Sequence, residues 1–128
     1  MRVLLDTHTF LWLVLDAPEL SVRARSIFTD RENVILLSTA SLWEMAIKVS
    51  LGKLKVMRPL AEWVAQEVAE NGITILPPCL EHVLKVEHLP FHHRDPFDRL
   101  LIAQAQVESV PVLGCDLAFD AYDIERVW

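Results

Sequence analysis

Two short apolar runs constrain the fold of this chain most strongly. Val3–Leu5 and Val34–Leu37 are apolar at every position, with no alternating polar residues. A strand that has one face in water alternates apolar and polar side chains, whereas a strand covered on both faces stays apolar throughout. Both runs therefore predict strands of a parallel sheet that is covered by helices on both sides.

Helix caps and helix-ending glycines surround these runs, so predicted strands and helices alternate along the chain. The predicted elements are a strand at Arg2–Asp6, helices at Thr7–Asp16 and from Ser21 to Arg31, a strand at Asn33–Ser38, helices at Ala40–Leu51 and Leu60–Asn71, a strand at Ile73–Leu76, a short helix at Leu80–His88, a helix at Pro96–Glu108, a strand at Val110–Cys115, a helical turn at Leu117–Tyr122 and a last short strand at Ile124–Trp128. This order predicts an α/β architecture with a mostly parallel sheet.

The composition is typical of a globular protein, with 52% hydrophobic and 23% charged residues. The net charge of −6 means that the average field of the molecule does not attract nucleic acid, so a polyanionic substrate would need a local basic patch or a metal ion. Cys79 and Cys115 have no CxxC spacing and are interpreted as reduced thiols. The apolar stretch Val3–Leu15 is too short and too charged to span a membrane, and we expect a cytoplasmic protein.

Residues 93–105 contain a helix start with one acid that helix capping does not explain. Asp95 stands at the N-cap position and Pro96 at the first helical position. Asp98 shares its helix face with three apolar residues, which are Leu101, Ile102 and Ala105. A carboxylate among core side chains is costly unless its charge is compensated, and a cation is the simplest compensation.

Three further acids are predicted close to the carboxyl ends of strands, where open α/β sheets bind ligands. Asp6 follows the first strand, Asp116 follows the fourth, and Glu44 lies on the helix after the second. Each has a structural alternative, because the aspartates suit helix caps and Glu44 suits an ion pair with Lys48. Together with Asp98, however, the acids would repel one another without a counterion, and carboxylate clusters suit Mg²⁺ or Mn²⁺.

The four acidic segments are Leu4-Leu5-Asp6-Thr7-His8, Ser41–Lys48 with Gly52-Lys53-Leu54 after it, Asp95–Ala105 and Cys115–Phe119. In this order they resemble the PIN-domain ribonucleases and, more narrowly, the VapC-type toxins of bacterial type II toxin–antitoxin pairs. The resemblance covers essentially the whole chain, and four motifs in order are far more specific than any one alone. It implies a single PIN domain at residues 1–128, folded as a three-layer α/β/α sandwich.

The resemblance further implies that Asp6, Glu44, Asp98 and Asp116 are the catalytic acids that hold Mg²⁺ or Mn²⁺ for hydrolysis of RNA phosphodiester bonds. The expected substrate contacts are Arg99, which adjoins Asp98, together with Lys48 and Thr7. The implied partners are an RNA substrate, a cognate VapB-type antitoxin and a second copy of the chain in a homodimer.

Two other functions compete with this interpretation. One is a non-catalytic PIN-like interaction module, which would have no reason to keep four acids at loop ends. The other is a different Mg²⁺-dependent phosphoryl-handling α/β protein, but such phosphatases favour Asp-x-Asp where this chain has Asp6-Thr7-His8. His92 and His93 are expected to be an exposed loop pair, because adjacent loop residues point apart and no zinc-like ligand spacing accompanies them.

Overall fold

The computed structural model describes residues 1–128 and contains five strands and six α-helices. The strands are β1 (Arg2–Leu5), β2 (Val34–Ser38), β3 (Thr74–Leu76), β4 (Val112–Leu113) and β5 (Arg126–Val127). The helices are α1 (Thr7–Leu15), α2 (Val22–Thr29), α3 (Thr39–Ser50), α4 (Leu60–Asn71), α5 (Leu80–Lys85) and α6 (Pro96–Glu108), with short 3-10 helices at Val86–His88 and Leu117–Ala121. The predicted order of strands and helices is confirmed.

The largest difference from the predicted elements is at β4, which has two residues rather than the six of Val110–Cys115. Pro111 lacks a backbone N–H and contributes only its carbonyl oxygen, which accepts a hydrogen bond from the Leu4 amide at 2.9 Å. Regular pairing therefore begins only after the proline.

The five strands form one sheet in the order β3-β2-β1-β4-β5, and all neighbouring strands are parallel. The chain builds outward from β1 through β2 to β3, and then returns to place β4 on the other side of β1. The direction of building thus reverses between β1 and β4. Such a reversal leaves a crevice outside the carboxyl ends of the two strands, where ligands bind in open α/β sheets.

Buried apolar side chains cover both faces of the sheet. Val3 and Leu5 of β1 belong to one core cluster, which also contains Phe10 of α1. Leu4 belongs to a second cluster, which contains Ile102 and other residues of α6. Because consecutive strand residues point to opposite faces, the apolar run of β1 contributes side chains to both cores. The predicted three-layer α/β/α sandwich is therefore confirmed.

Side-chain caps fix where the helices next to the carboxyl ends of the strands begin. Asp6 accepts from the Thr7 amide at the start of α1, and Ser38 accepts from the Ala40 amide at the start of α3. Asp95 caps α6, as predicted, and its side chain accepts hydrogen bonds from the Phe97 and Asp98 amides. These caps set the first turns of three helices beside the crevice. No helix in the structure is both long and apolar enough to cross a membrane.

Candidate metal centre

Asp6 is a buried carboxylate at the carboxyl end of β1. The residue is 5% exposed, and its Oδ1 accepts a hydrogen bond of 2.9 Å from the Thr7 amide. Burial, and then the negative charges of Glu44 and Asp116, raise the pKa of Asp6 from 3.8 to about 6, against the opposing effect of the Thr7 hydrogen bond. Its role as a helix cap is real, but capping alone leaves this charge poorly compensated.

The end of β4 makes room for this carboxylate because residue 114 is a glycine. The Asp6 amide donates to the Leu113 carbonyl at 3.1 Å, which ties the ends of β1 and β4 together. A Cβ atom on Gly114 would lie 3.0 Å from the Asp6 Cβ and 3.6 Å from its Oδ2. The two strand ends can therefore approach this closely only because residue 114 has no side chain.

Asp98 lies in the first turn of α6 and is partly buried. Its neighbours on the helix face are fully buried core residues, namely Leu101, Ile102 and Ala105, as the sequence predicted. Burial and then the charges of Asp6 and Asp95 raise the pKa of Asp98 from 3.8 to about 7, whereas His93 acts to lower it. The surroundings of Asp98 therefore disfavour its charged form.

Asp6, Asp98 and Asp116 meet at one pocket of about 260 Å³, which His8, Trp12 and Cys115 also line. Asp116 follows β4, and its Oδ1 caps the 3-10 helix at Leu117–Ala121 through the Ala118 amide. The pocket therefore lies at the reversal between β1 and β4. Three chain segments that are far apart in sequence bring their carboxylates together there, as predicted.

Glu44 is near these aspartates without lining the pocket. It is 9% exposed, and its charge contributes to the raised pKa of both Asp6 and Asp98. Its Oε2 is 3.2 Å from the Lys48 Nζ, whereas its Oε1 is buried with no hydrogen-bond partner. The predicted ion pair with Lys48 and the predicted proximity to the other acids are thus both present.

The prediction for His93 was wrong, since only His92 of the two histidines is exposed. The His93 Nε2 lies 3.7 Å from the Asp116 Oδ2, and its side chain is 16% exposed. The ring stacks on Tyr122 with an interplanar angle of 11°. Sequence reasoning missed this residue because the loop is anchored by a tyrosine far along the chain, and nothing local to His93 indicates that contact.

Two of the expected substrate contacts, Arg99 and Thr7, lie in buried positions. Arg99 is 5% exposed, and its guanidinium lies over the Phe91 ring at 4.1 Å. It donates hydrogen bonds to backbone carbonyls of the preceding loop, which are those of Val86, Leu89, Pro90 and His93. Thr7 is 2% exposed and donates its hydroxyl to the Ser41 Oγ at 2.9 Å. Neither side chain is available to a phosphate group, whereas the Lys48 side chain is 34% exposed.

The fold and the pocket together define a three-layer α/β protein with an acidic site at the reversal of its strand order. The family model for the PIN domain matches residues 3–125. The chain therefore belongs to the PIN domain family, which confirms the resemblance seen in the four acidic segments.

Several known proteins are similar to this chain. Ribonuclease VapC16 of Mycobacterium tuberculosis is 39% identical over 70 residues, which cover 55% of this chain and 44% of the relative. The match thus spans less than half the length of that relative. Among solved structures, a chain of the VapBC2 complex of Rickettsia felis has a TM-score of 0.74 at 13% identity, with 99% of this chain and 98% of that chain covered. A chain of the DNA-bound VapBC complex of Salmonella typhimurium has a TM-score of 0.71 at 17% identity, with coverage of 99% and 97%.

The donor atoms around the pocket fit a divalent cation. One ligand atom each from His93, Asp98 and Asp116 lies within 4.8 Å of the others. Neighbouring ligand atoms on an ion that binds at about 2.1 Å lie about 3 Å apart, so these side chains would draw closer together around the ion. A cation would also offset the burial and the neighbouring acids that raise the pKa values of Asp6 and Asp98.

Proposed function

We propose that this protein, as a single PIN domain, is a metal-dependent endoribonuclease that hydrolyses RNA phosphodiester bonds. The observation that carries the proposal is the convergence of Asp6, Asp98 and Asp116 on one pocket at the strand-order reversal. Membership of the PIN domain family and the similarity to a protein named ribonuclease VapC16 support the same activity. The competing interaction module would gain nothing from three mutually repelling carboxylates.

In this proposal Asp6, Asp98 and Asp116 hold Mg²⁺ or Mn²⁺, with Glu44 close to them. The bound ion would supply Lewis-acid chemistry, which lowers the pKa of water and neutralises charge that develops on the phosphate. The Thr7 amide keeps the Asp6 carboxylate oriented at the end of β1. The Glu44 Oε1 has no hydrogen-bond partner and is the available acceptor of this side chain, since its Oε2 is paired with Lys48.

Substrate binding in this proposal depends on exposed cations, because the acids of the pocket repel phosphate. Lys48 is partly exposed at the end of α3, and an exposed basic segment follows it, with Lys53, Lys55 and Arg58. Contacts between such side chains and phosphate groups give affinity that falls as salt concentration rises. These residues replace Arg99 and Thr7 as the candidates for contact with the RNA backbone.

We further propose that the protein is the toxin of a type II toxin–antitoxin pair, acting on cytoplasmic RNA with a VapB-type antitoxin as its partner. The support is that solved chains of the same fold come from VapBC complexes. A homodimer is part of the proposal, and Trp43 suits such a contact because it is 61% exposed. Large aromatic side chains in water are typical of surfaces that a partner covers.

The test is RNA cleavage by the purified protein with Mg²⁺ or Mn²⁺. We expect cleavage that stops on chelation and is lost in Asp6→Asn, while Asp123→Asn, which changes an exposed aspartate, cleaves as the parent does. Circular dichroism must show that all three proteins are folded. Equal cleavage by Asp6→Asn, or none by the parent with either ion, would refute the nuclease. Expression without an antitoxin should arrest growth, and harmless expression of active protein would refute the toxin role alone.

A further inference from the structure

We infer that His93 supplies a nitrogen ligand to the metal centre beside Asp98 and Asp116, so that the ion is held by a mixed set of ligands rather than by carboxylates alone. The inference rests on the proposed metal-dependent function and adds to it. It assigns a role to a residue outside the four acids and predicts which ions the site prefers.

The first support is the position of the ring nitrogen. One ring nitrogen of His93, an Asp98 oxygen and an Asp116 oxygen form the one group of metal-ligating atoms in this structure that lie within 4.8 Å of one another. The Nε2 atom is buried and has no hydrogen-bond partner. At 3.7 Å, its separation from the Asp116 Oδ2 is longer than the 2.7–3.2 Å of an ordinary hydrogen bond. The carboxylate beside it therefore leaves this nitrogen unsatisfied.

The second support is that the surroundings hold the ring in place. The His93 amide donates a hydrogen bond of 2.6 Å to the Tyr122 hydroxyl, and the two rings stack. The Phe119 ring meets the imidazole at a centroid distance of 5.5 Å and an interplanar angle of 67°. Arg99 fixes the backbone of the same loop by donating hydrogen bonds to the carbonyl oxygens of Pro90 and His93. A ligand held in this way loses little conformational entropy when an ion binds.

The third support is the negative charge of the site, to which Glu44, nine-tenths buried, contributes. Its Oε1 has no partner, although its charge acts on both Asp6 and Asp98. A neutral imidazole adds a ligand to this centre without adding a further negative charge. Imidazole nitrogen suits transition-metal ions better than it suits Mg²⁺, which prefers oxygen ligands and retains water. We therefore expect the site to prefer Mn²⁺ to Mg²⁺.

The experiment uses the full chain with Mn²⁺ as the probe. Pulsed electron paramagnetic resonance detects the magnetic coupling between bound Mn²⁺ and a directly coordinated nitrogen. We expect this coupling in the parent and in His92→Gln, the matched control in the same loop, and its loss in His93→Gln. The affinity of His93→Gln for Mn²⁺ should fall by about tenfold or more, and its affinity for Mg²⁺ by a smaller factor.

Isotopic labelling of histidine in the parent protein shows whether the coupled nitrogen belongs to a histidine, because the coupling must change with the nitrogen isotope. The same measurement on labelled His8→Gln assigns the coupling, since His8 is the other histidine beside the pocket, and loss of the coupling in that variant would overturn the inference. This arm keeps the inference testable even if His93→Gln does not fold. Bound Mn²⁺ with no histidine coupling in the parent, or with coupling that His93→Gln retains, would overturn the inference and leave the carboxylate centre intact. A parent that binds Mg²⁺ but no Mn²⁺ would overturn the inference alone, and one that binds neither ion would overturn the proposed nuclease as well.

Discussion

Replacing Asp98 by asparagine should stabilise the metal-free protein at alkaline pH. The carboxylate is partly buried beside Asp6 and Asp95, and these surroundings raise its pKa from 3.8 to about 7. Asparagine has nearly the same shape and no charge. The substitution therefore removes the repulsion and most of the desolvation cost while it keeps the packing against the core.

The direction of the pH effect on stability follows from the number of protons that Asp98 binds in the folded and unfolded states. Between about pH 4 and pH 7 the folded protein holds a proton on Asp98 that the unfolded chain releases, so this group favours folding at low pH and its contribution is lost as pH rises through about 7. The full difference between the pKa of Asp98 in the folded and unfolded states corresponds to about 4 kcal/mol, at about 1.36 kcal/mol per pKa unit. Because the side chain is only partly buried, solvent screening reduces our expectation to about 1–2 kcal/mol.

The assay is thermal unfolding followed by circular dichroism, in the presence of a chelator, at pH 5 and pH 8. We expect Asp98→Asn to unfold about 3–8 °C above the parent at pH 8, with a much smaller difference at pH 5. Asp123→Asn, at an exposed position, should match the parent at both pH values.

Adding Mn²⁺ at pH 8 should reverse the order of stability. A ligand at a hundred times its dissociation constant stabilises the folded state by about 2.7 kcal/mol, and only the parent retains the full ligand set. An Asp98→Asn variant that is less stable than the parent in chelator at pH 8 would refute the electrostatic reasoning. A variant that gains as much stability from Mn²⁺ as the parent would refute the role of Asp98 as a ligand.

Two further predictions concern residues that position the site. Gly114→Ala should displace Asp6, since the new Cβ would lie 3.0 Å from the Asp6 Cβ, and we expect it to destabilise the protein by about 1–3 kcal/mol and to weaken Mn²⁺ binding in a calorimetric titration. Unchanged Mn²⁺ affinity in folded Gly114→Ala would contradict the close approach of β1 and β4. Arg99→Ala should lower the free energy of unfolding in urea by about 3 kcal/mol or more, because it leaves buried carbonyls without their donor. A loss below about 1 kcal/mol would show that Arg99 is not the anchor of the loop.

Much of the fold was predictable because the responsible signals are local. Unbroken apolar runs predicted β1 and β2, and Pro96 with the capping Asp95 predicted the start of α6 at the correct residue. Gly72 likewise ended α4 where expected, in a left-handed conformation with φ of 63°. Local rules failed mainly at β4, where the proline shortened the strand.

The candidate site was predictable in part, because Asp6 and Asp116 directly follow strands whose carboxyl ends meet at one edge of a parallel sheet. The contacts of His93 and Arg99 were not predictable, since each depends on distant segments. Tyr122 fixes the histidine ring from beyond β4, and the loop from Val86 to His93 provides the carbonyls that bury the arginine. A charged residue next to Asp98 suggested phosphate binding, but the geometry of the loop gives it a structural role.

The neighbours Asp98 and Arg99 therefore face different evolutionary constraints, although they are adjacent in the first turn of one helix. The aspartate is costly to the folded chain and is worth keeping only while an ion is bound. The arginine holds together a loop that has few other backbone hydrogen bonds, with or without catalysis. In a descendant without the proposed nuclease activity, we expect the aspartate to drift to other residues while the arginine persists.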